Sequence, residues 1–165
     1  MKKEVIFDSS TAILLAKVSL LRHISGEIAI VFPKGVEEET TRNKELFDAR
    51  LIDELIRTGK ISVLQSPKIR ASQYEKDFSL GLGEAQAIAL AQSKKCMIAT
   101  DDWPSIKVCK IFSIPFATAV HFLLSAYEKR DIDKKTALEK LRMLKHHGRY
   151  SGTIIRRAQE KLEGN

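Results

Sequence analysis

The sequence predicts an α/β fold, a three-layer α/β/α sandwich with a central parallel sheet, followed by additional C-terminal helices. Two observations favour this class. Short apolar runs alternate with segments of helical periodicity over residues 4–117, as in parallel sheets whose strands are joined by helices. Beyond residue 117 the apolar residues recur at helical spacing. We therefore expect a domain over residues 1–117 and a helical extension over residues 118–165 that packs on it.

Five short apolar runs are predicted to form the strands. They lie at residues 4–7, 28–32, 61–64, 97–99 and 114–116. The last run contains Pro115, which cannot donate to a strand ladder, so we expect a short final strand or an edge segment there.

The segments between these runs have the periodicity and end signals of helices. Asp8 or Ser9 is the expected N-cap of the first helix, Pro33 is expected to open the third, and Thr58-Gly59 to end the fourth. Helices are predicted over residues 11–16, 20–24, 47–56, 83–91 and 107–112. One more is expected after residue 33 and one within residues 66–80. In the last third of the chain, three apolar stripes predict helices over residues 120–127, 137–144 and 154–162.

Composition limits the possible environments and partners. A chain of 165 residues is long enough to bury a core as one domain. The net charge of +7 favours an anionic partner such as nucleic acid. Cys96 and Cys109 have no metal-ligand spacing, which indicates free thiols in a reducing cytosol. No apolar run approaches the roughly 20 residues needed to span a bilayer, and no signal peptide is evident, so a cytoplasmic location without membrane contact is expected.

Carboxylates occur where the predicted strands end and where one helix begins. Asp8 follows the first strand, Asp101 and Asp102 follow the fourth, and Glu84 begins the helix before that fourth strand. Ligand sites of parallel sheets lie outside the carboxyl ends of the strands. Adjacent carboxylates there repel one another unless a cation or donors compensate them. Such a cluster predicts a hard divalent cation with oxygen ligands, Mg²⁺ or Mn²⁺.

A fifth acid belongs to the triplet of glutamates at residues 37–39. Glu39 lies three residues after the apolar Val36 and shares its helix face, whereas Glu37 and Glu38 point elsewhere. Glu39 is therefore the member expected to face the protein body, although a register one residue earlier, with Glu38 as the functional acid, stays open.

Each acid also has a purely structural interpretation. Asp8 and Asp102 could cap the helices that follow them, and Glu84 could be a first-turn acid favoured by the helix dipole. Three consecutive glutamates commonly form a solvated acidic turn. The segment Gly81-Leu82-Gly83-Glu84-Ala85-Gln86 resembles part of a dinucleotide fingerprint, but Gln86 replaces the third small residue and no strand precedes it.

Taken in order, these segments resemble the acidic motifs of PIN-domain (PilT N-terminus-like) nucleases. The tail, with Leu144, Gly148 and Tyr150, resembles a prokaryotic subgroup with extra C-terminal helices. The four segments are Val5-Ile6-Phe7-Asp8-Ser9-Ser10; Val36 with Glu39; Gly83-Glu84-Ala85 with Ala87-Ile88; and Ile98-Ala99-Thr100-Asp101-Asp102.

The resemblance implies a nuclease fold with an acidic, metal-binding pocket. By position, Asp8, Glu39, Glu84 and Asp102 would form the catalytic quartet, and Asp101 could share the metal with Asp8, Glu84 and Asp102. Ser10 matches a hydroxyl position that supports the first Asp. Thr100 is predicted to act in the same supporting way.

The function expected from this resemblance is a Mg²⁺- or Mn²⁺-dependent endoribonuclease, either a toxin of a toxin–antitoxin pair or an RNA-processing enzyme. Expected partners are RNA, an antitoxin protein and a second copy of the chain in a homodimer. Arg149, Arg156 and Arg157 in the basic tail are predicted to contact the RNA backbone. The alternative is a non-catalytic PIN-like protein that binds nucleic acid or a protein partner.

Overall fold

A computed structural model describes residues 1–164 and contains one five-stranded, all-parallel sheet. The strands are β1 (Glu4–Phe7), β2 (Ala29–Pro33), β3 (Ile61–Leu64), β4 (Met97–Ala99) and β5 (Phe116–Ala117). They are arranged in the order β3-β2-β1-β4-β5, and every neighbouring pair is parallel. Asn165, the last residue of the predicted extension, lies outside the described residues.

Ten helices accompany the sheet in the described part of the chain. They are α1 (Ser9–Lys17), α2 (Leu21–Glu27), α3 (Lys34–Thr41), α4 (Phe47–Arg57), α5 (Lys68–Phe78), α6 (Leu82–Lys94), α7 (Trp103–Ile111), α8 (Ala119–Glu128), α9 (Lys134–His147) and α10 (Gly152–Glu163). The predicted α/β class and its parallel sheet are confirmed.

Three of the predicted boundaries that differ from the structure have a clear local cause. Pro33 ends β2 and caps α3 instead of opening the helix, because its ψ of 158° is extended. The helix predicted to start at residue 107 begins at Trp103, since the Asp102 side chain accepts a hydrogen bond from the Ser105 amide and fixes its first turn. β5 begins only at Phe116, because Pro115 has no amide donor and contributes only its carbonyl, which accepts from the Ile98 amide at 3.0 Å.

The two faces of the sheet bury two separate apolar clusters. Val5 and Phe7 of β1 join one cluster with α1–α4 and α8–α10, whereas Ile6 joins the other with α5–α7. Successive side chains of a strand alternate between faces, and both faces are covered here, so the three residues are all apolar and almost fully buried. This arrangement gives the three layers.

The C-terminal helices share the core on the first face. Leu141 and Leu144 of α9 and Ile155 of α10 are buried in the same cluster as Phe7. The Lys140 ammonium donates to the Val18 carbonyl at 2.6 Å and links α9 to the end of α1. The predicted division of the chain into residues 1–117 and 118–165 stays a prediction. Within residues 1–164, the helices are all too short or too polar to cross a membrane.

Candidate acidic active site

Asp8 lies at the centre of the sheet edge formed by the carboxyl ends of β1 and β4. Its amide donates to the Ala99 carbonyl at 3.0 Å, and its carboxylate is almost completely buried. The carboxylate accepts hydrogen bonds from Ser10 Oγ at 2.6 Å, from the Thr11 amide at 3.3 Å and from Thr100 Oγ1. Asp8 is therefore both the N-cap of α1 and a buried acid aimed at the strand ends.

Burial has a strong electrostatic effect on this acid. It raises the pKa of Asp8 to about 7, and the negative charge of Asp101 acts in the same direction. The hydrogen bonds from Ser10 and Thr100 oppose the shift by favouring the ionised form. Asp8 thus changes its charge near neutral pH, and a nearby cation would favour its carboxylate form.

Ser10 and Thr100 connect Asp8 to the two aspartates that follow β4. Ser10 Oγ accepts from the Asp101 amide at 2.9 Å while it donates to Asp8. Thr100 Oγ1 accepts from the Asp102 amide at 3.2 Å while it donates to the other Asp8 oxygen. The two hydroxyls therefore fix the position of Asp8 relative to the backbone after β4.

Three further carboxylates lie close enough for the charges of two of them to act on the third. Glu84, in the first turn of α6, is half-buried, and burial raises its pKa; the charges of Asp102 and Glu39 raise it further. The Asp102 carboxylate is held by the amide of Ser105 at 3.0 Å and by its hydroxyl at 2.8 Å. One acid each from α3, α6 and the end of β4 therefore contributes to this cluster.

Glu39 is the member of its triplet that faces the cluster. Its Oε2 accepts from Ser9 Oγ at 2.8 Å, whereas Glu37 pairs with Lys34 on the same helix. A Cβ at Gly83 would lie 3.0 Å from Glu39 Oε2, so the glycine allows α6 to approach this carboxylate closely. The contacts place Glu39 at the edge of the cluster, exposed to solvent.

Asp101 points away from the other acids and towards the C-terminal helices. Its carboxylate accepts from Thr11 Oγ1 at 2.6 Å, from the Ala119 amide at 2.9 Å and from the Tyr150 hydroxyl. Burial raises the pKa of Asp101, while the Thr11 and Tyr150 donors oppose the shift. Both carboxylate oxygens of Asp101 accept hydrogen bonds that join β4 to α8 and to the segment before α10, just as both oxygens of Asp8 accept hydrogen bonds within the site. The role predicted for Asp101 as a shared metal ligand stays a prediction.

The donor set of the cluster is suited to Mg²⁺ or Mn²⁺, because it consists of carboxylate oxygens. Over residues 1–164, none of the five predicted acids forms an ion pair with a lysine or arginine. No three of them have oxygens within 4.8 Å of one another in that range. Mg²⁺ typically keeps several waters and binds one or two carboxylates directly, so this wider spacing fits it.

A different group of side chains does meet the 4.8 Å spacing. His23, Glu27 and Asp131 each offer one ligand atom within that distance of the others. His23 Nε2 lies 3.2 Å from Asp131, and the Lys129 ammonium lies 3.2 Å from Glu27. Glu27 lies two residues before β2, so this group is at the opposite end of the strands from the acids, and Lys129 offsets the charge of Glu27.

The predicted RNA-binding arginines occupy different positions relative to the acids. Arg149 lines a cavity of about 350 Å³ together with Lys17, Asp101 and Asp102. Arg157 lines a neighbouring cavity of about 370 Å³, whereas Arg156 is exposed on α10 and lines neither cavity.

Several positioning residues were not singled out from the sequence. Ser9 and Thr11 flank Asp8 in its motif, so their proximity to the site could have been inferred. Gln86 Oε1 accepts from the Gly35 amide at 2.7 Å and fixes α6 against α3. Its position two residues after Glu84 indicated that it lies near the site. Tyr150 lies 49 residues from Asp101, and no local pattern could have paired them.

Comparison with known proteins supports the family assignment. No curated protein matches the chain. Among solved structures it is similar to a chain of VapBC2 from Rickettsia felis, solved bound to a DNA fragment from their promoter, with 10% identity and a TM-score of 0.46 over 70% of this chain and 98% of that one. Residues 4–163 match the family described as DUF3368: PIN domain. The chain therefore belongs to the PIN-domain family.

Proposed function

We propose that the protein is a divalent-metal-dependent endoribonuclease. The observation that carries the proposal is a group of carboxylates without an ion pair from a basic side chain in the described residues. Thr100 joins the buried Asp8 to the backbone of Asp102, and the charges of Asp102 and Glu39 act on Glu84. A site that only stabilised the fold would balance such charges with lysine or arginine. Uncompensated carboxylates at the strand ends of a PIN domain support metal binding and phosphodiester hydrolysis.

Asp8, Glu84 and Asp102 would hold Mg²⁺ or Mn²⁺, which supplies Lewis-acid stabilisation of the phosphate and lowers the pKa of a bound water. Ser10 and Thr100 keep the Asp8 carboxylate oriented, and Ser105 does the same for Asp102. Asp101 is a positioning residue in this proposal and does not touch the metal.

Glu39 has the position expected of a group that accepts a proton from the attacking water. It is exposed, adjacent to Glu84, and held by a single hydroxyl from Ser9. Its carboxylate can therefore receive a proton and exchange it with solvent. RNA as the substrate rests on the resemblance to PIN-domain nucleases and on the net charge of +7.

The proposal is tested with purified protein and labelled single-stranded RNA, structured RNA and single-stranded DNA. Internal cleavage of RNA is expected with Mg²⁺ or Mn²⁺ and should stop in EDTA. Asp8→Asn, Glu84→Gln and Asp102→Asn should each abolish cleavage, because each removes a charged oxygen from the site. Cleavage that continues in excess chelator contradicts the metal mechanism, and preferential cleavage of DNA contradicts the assignment to RNA.

The glutamate triplet provides a matched internal control. Glu39→Gln should lower kcat by roughly 10²- to 10⁴-fold, the range of a lost general base. Glu38→Gln, one residue earlier, should leave the rate unchanged, since Glu39 is the glutamate that contacts Ser9 beside the cluster. The reverse result would show that Glu38 is the functional acid.

The basic residues are proposed to hold the RNA backbone. Arg149→Ala and Arg157→Ala should each flatten the slope of log affinity against log salt by roughly 0.7, the value of one phosphate contact with a single strand. Arg156→Ala is the matched control, because this residue is equally exposed on α10 but lies outside both cavities. Equal effects of all three substitutions would indicate that the whole tail attracts RNA without specific contacts.

The non-catalytic alternative predicts RNA binding without cleavage in any metal, and the same experiment separates it. The toxin role, the antitoxin partner and the homodimer stay predictions that rest on the family resemblance. A neighbouring gene for a small antitoxin-like protein would support the toxin role, and light scattering would give the mass of the assembly.

A further inference from the structure

We propose that Trp103 and the cavity beside it form a subsite that stacks one base of single-stranded RNA next to the acidic cluster. The inference rests on the proposed nuclease function and adds a position at which the substrate is held. Trp103 is the first residue of α7 and directly follows Asp102. A base stacked on its ring would therefore lie next to the nucleotide whose phosphate reaches the acids.

Trp103 is unusually available for contact. Its side chain is 57% exposed, although indole rings are normally largely buried. The ammonium groups of Lys107 and Lys110 lie 5.5 and 5.3 Å from the ring centroid, on the same face of α7. These cation–π contacts place two positive charges beside the ring.

The position of Trp103 between two cavities connects the ring to the site. On one side it lines the cavity that contains Asp102, Lys17 and Arg149. On the other side it lines the second cavity, of about 370 Å³, which falls within the roughly 300–1,000 Å³ of small-molecule sites. A strand of RNA that enters the first cavity thus passes the ring before it reaches the second.

The second cavity has the chemistry of a nucleotide site. Its walls include the apolar side chains of Ile106, Val120 and Leu124, which suit the flat face of a base. Arg157 and Lys161, together with Lys110, supply positive charge at the same cavity, and no Asp or Glu is among its lining residues. An apolar surface surrounded by cations next to an exposed aromatic ring is the combination used by proteins that bind single strands.

The subsite is tested in EDTA, so that binding is measured without cleavage. Trp103 is the only tryptophan in the chain, and its fluorescence therefore reports on this position alone. A short single-stranded RNA should quench the fluorescence with saturation, whereas an abasic oligonucleotide of equal length should quench it weakly and bind less tightly. Equal quenching and affinity for the two oligonucleotides would overturn the proposal.

Substitutions provide the second measurement, by fluorescence anisotropy of dye-labelled RNA. Trp103→Ala should weaken binding roughly 5- to 150-fold, the effect of losing one stacked base, and Trp103→Phe should keep most of the affinity. Ile111→Ala is the matched control, because Ile111 is also on α7 and is 63% exposed but lines neither cavity. Wild-type affinity in Trp103→Ala would contradict the subsite.

The outcomes separate this proposal from the nuclease function. Base-dependent binding without cleavage in any metal would reject the nuclease and retain the subsite. If the protein cleaves RNA and Trp103→Ala has the same KM as wild type, the nuclease function is retained and the subsite is rejected. If Trp103→Ala instead lowers the assembly mass in light scattering and RNA affinity is unchanged, Trp103 belongs to a protein interface and the subsite is wrong.

Discussion

Replacing Asp8 by Asn should stabilise the metal-free protein above neutral pH. Asp8 is buried, and burial raises its pKa from 3.8 to about 7. An Asn has nearly the same shape and carries no charge. Its oxygen can still accept from Ser10 and the Thr11 amide, and its amide can donate to Thr100 Oγ1. The substitution therefore removes the charge and keeps most of the contacts.

The size of the effect follows from the pKa. The folded-state pKa of Asp8 lies above its unfolded value. The protein therefore loses none of its free energy of unfolding to the Asp8 charge below pH of about 4, and it loses progressively more as pH rises to about 7. Three pKa units correspond to about 4 kcal/mol in total. Because the Thr100 hydroxyl must find another acceptor, at a cost of about 1 kcal/mol, the net gain of the Asn variant is about 3 kcal/mol above pH 7.

The assay is urea unfolding followed by circular dichroism in EDTA. The stability difference between Asp8→Asn and wild type should grow by about 3 kcal/mol between roughly pH 5 and pH 8. Asp133→Asn is the control, because Asp133 caps α9 on the surface and its hydrogen bonds with Thr136 lower its pKa. Its stability difference should stay nearly constant over this pH range, because the lowered pKa confines the titration of Asp133 to values below its ordinary 3.8.

One result would refute this reasoning. If Asp8→Asn is destabilising and its stability difference from wild type stays constant between about pH 5 and pH 8, the folded-state pKa is not raised and the ionised carboxylate stabilises the fold. Asp8 would then act mainly as the cap of α1, as Asp133 does for α9. The cleavage assay on the same variant would show whether the charge is nevertheless needed for activity.

The remaining predictions concern positions around the site and in the core. Tyr150→Phe removes a donor to a buried carboxylate and should destabilise the protein by about 1–3 kcal/mol in urea unfolding. Gly83→Ala should lower kcat while the protein stays folded, because the new Cβ displaces Glu39; Gly26→Ala, where a Cβ meets nothing within 4 Å, should not. Leu141→Ala should cost about 2–5 kcal/mol by leaving a cavity between α9 and the core, and retained stability would contradict the docking of that helix.

Much of the fold could be predicted from the sequence because local signals agreed with the global arrangement. The runs at 4–7, 61–64 and 97–99 coincide with observed strands, since apolar residues in succession fit strands buried on both faces. Boundaries that depend on side-chain caps were less accurate. α7 begins at Trp103 because of the bond between Asp102 and Ser105; the sequence offered Asp102 as a cap, but periodicity alone placed the start of the helix at residue 107.

The sequence predicted where the acids lie along the chain, but it could not predict which way their side chains point, and their roles stay predictions. The position of Asp101 after β4 was correct, yet its carboxylate turns towards Ala119 and Tyr150. Two adjacent residues at a strand end point to opposite sides, and which one faces the site depends on partners that are distant in sequence. The separation of the two aspartates was therefore visible only in three dimensions.

The contact between Asp101 and Tyr150 has a consequence for protein synthesis. The partly buried carboxylate of Asp101 receives two of its donors from residues 119 and 150, which are synthesised after all four acids of the quartet. A nascent chain that ends before Tyr150 therefore already carries those acids but lacks the donor that fixes the strand end. On the function proposed above, catalytic competence should appear late in translation, once the final helices have docked, so unfinished chains would not cleave RNA.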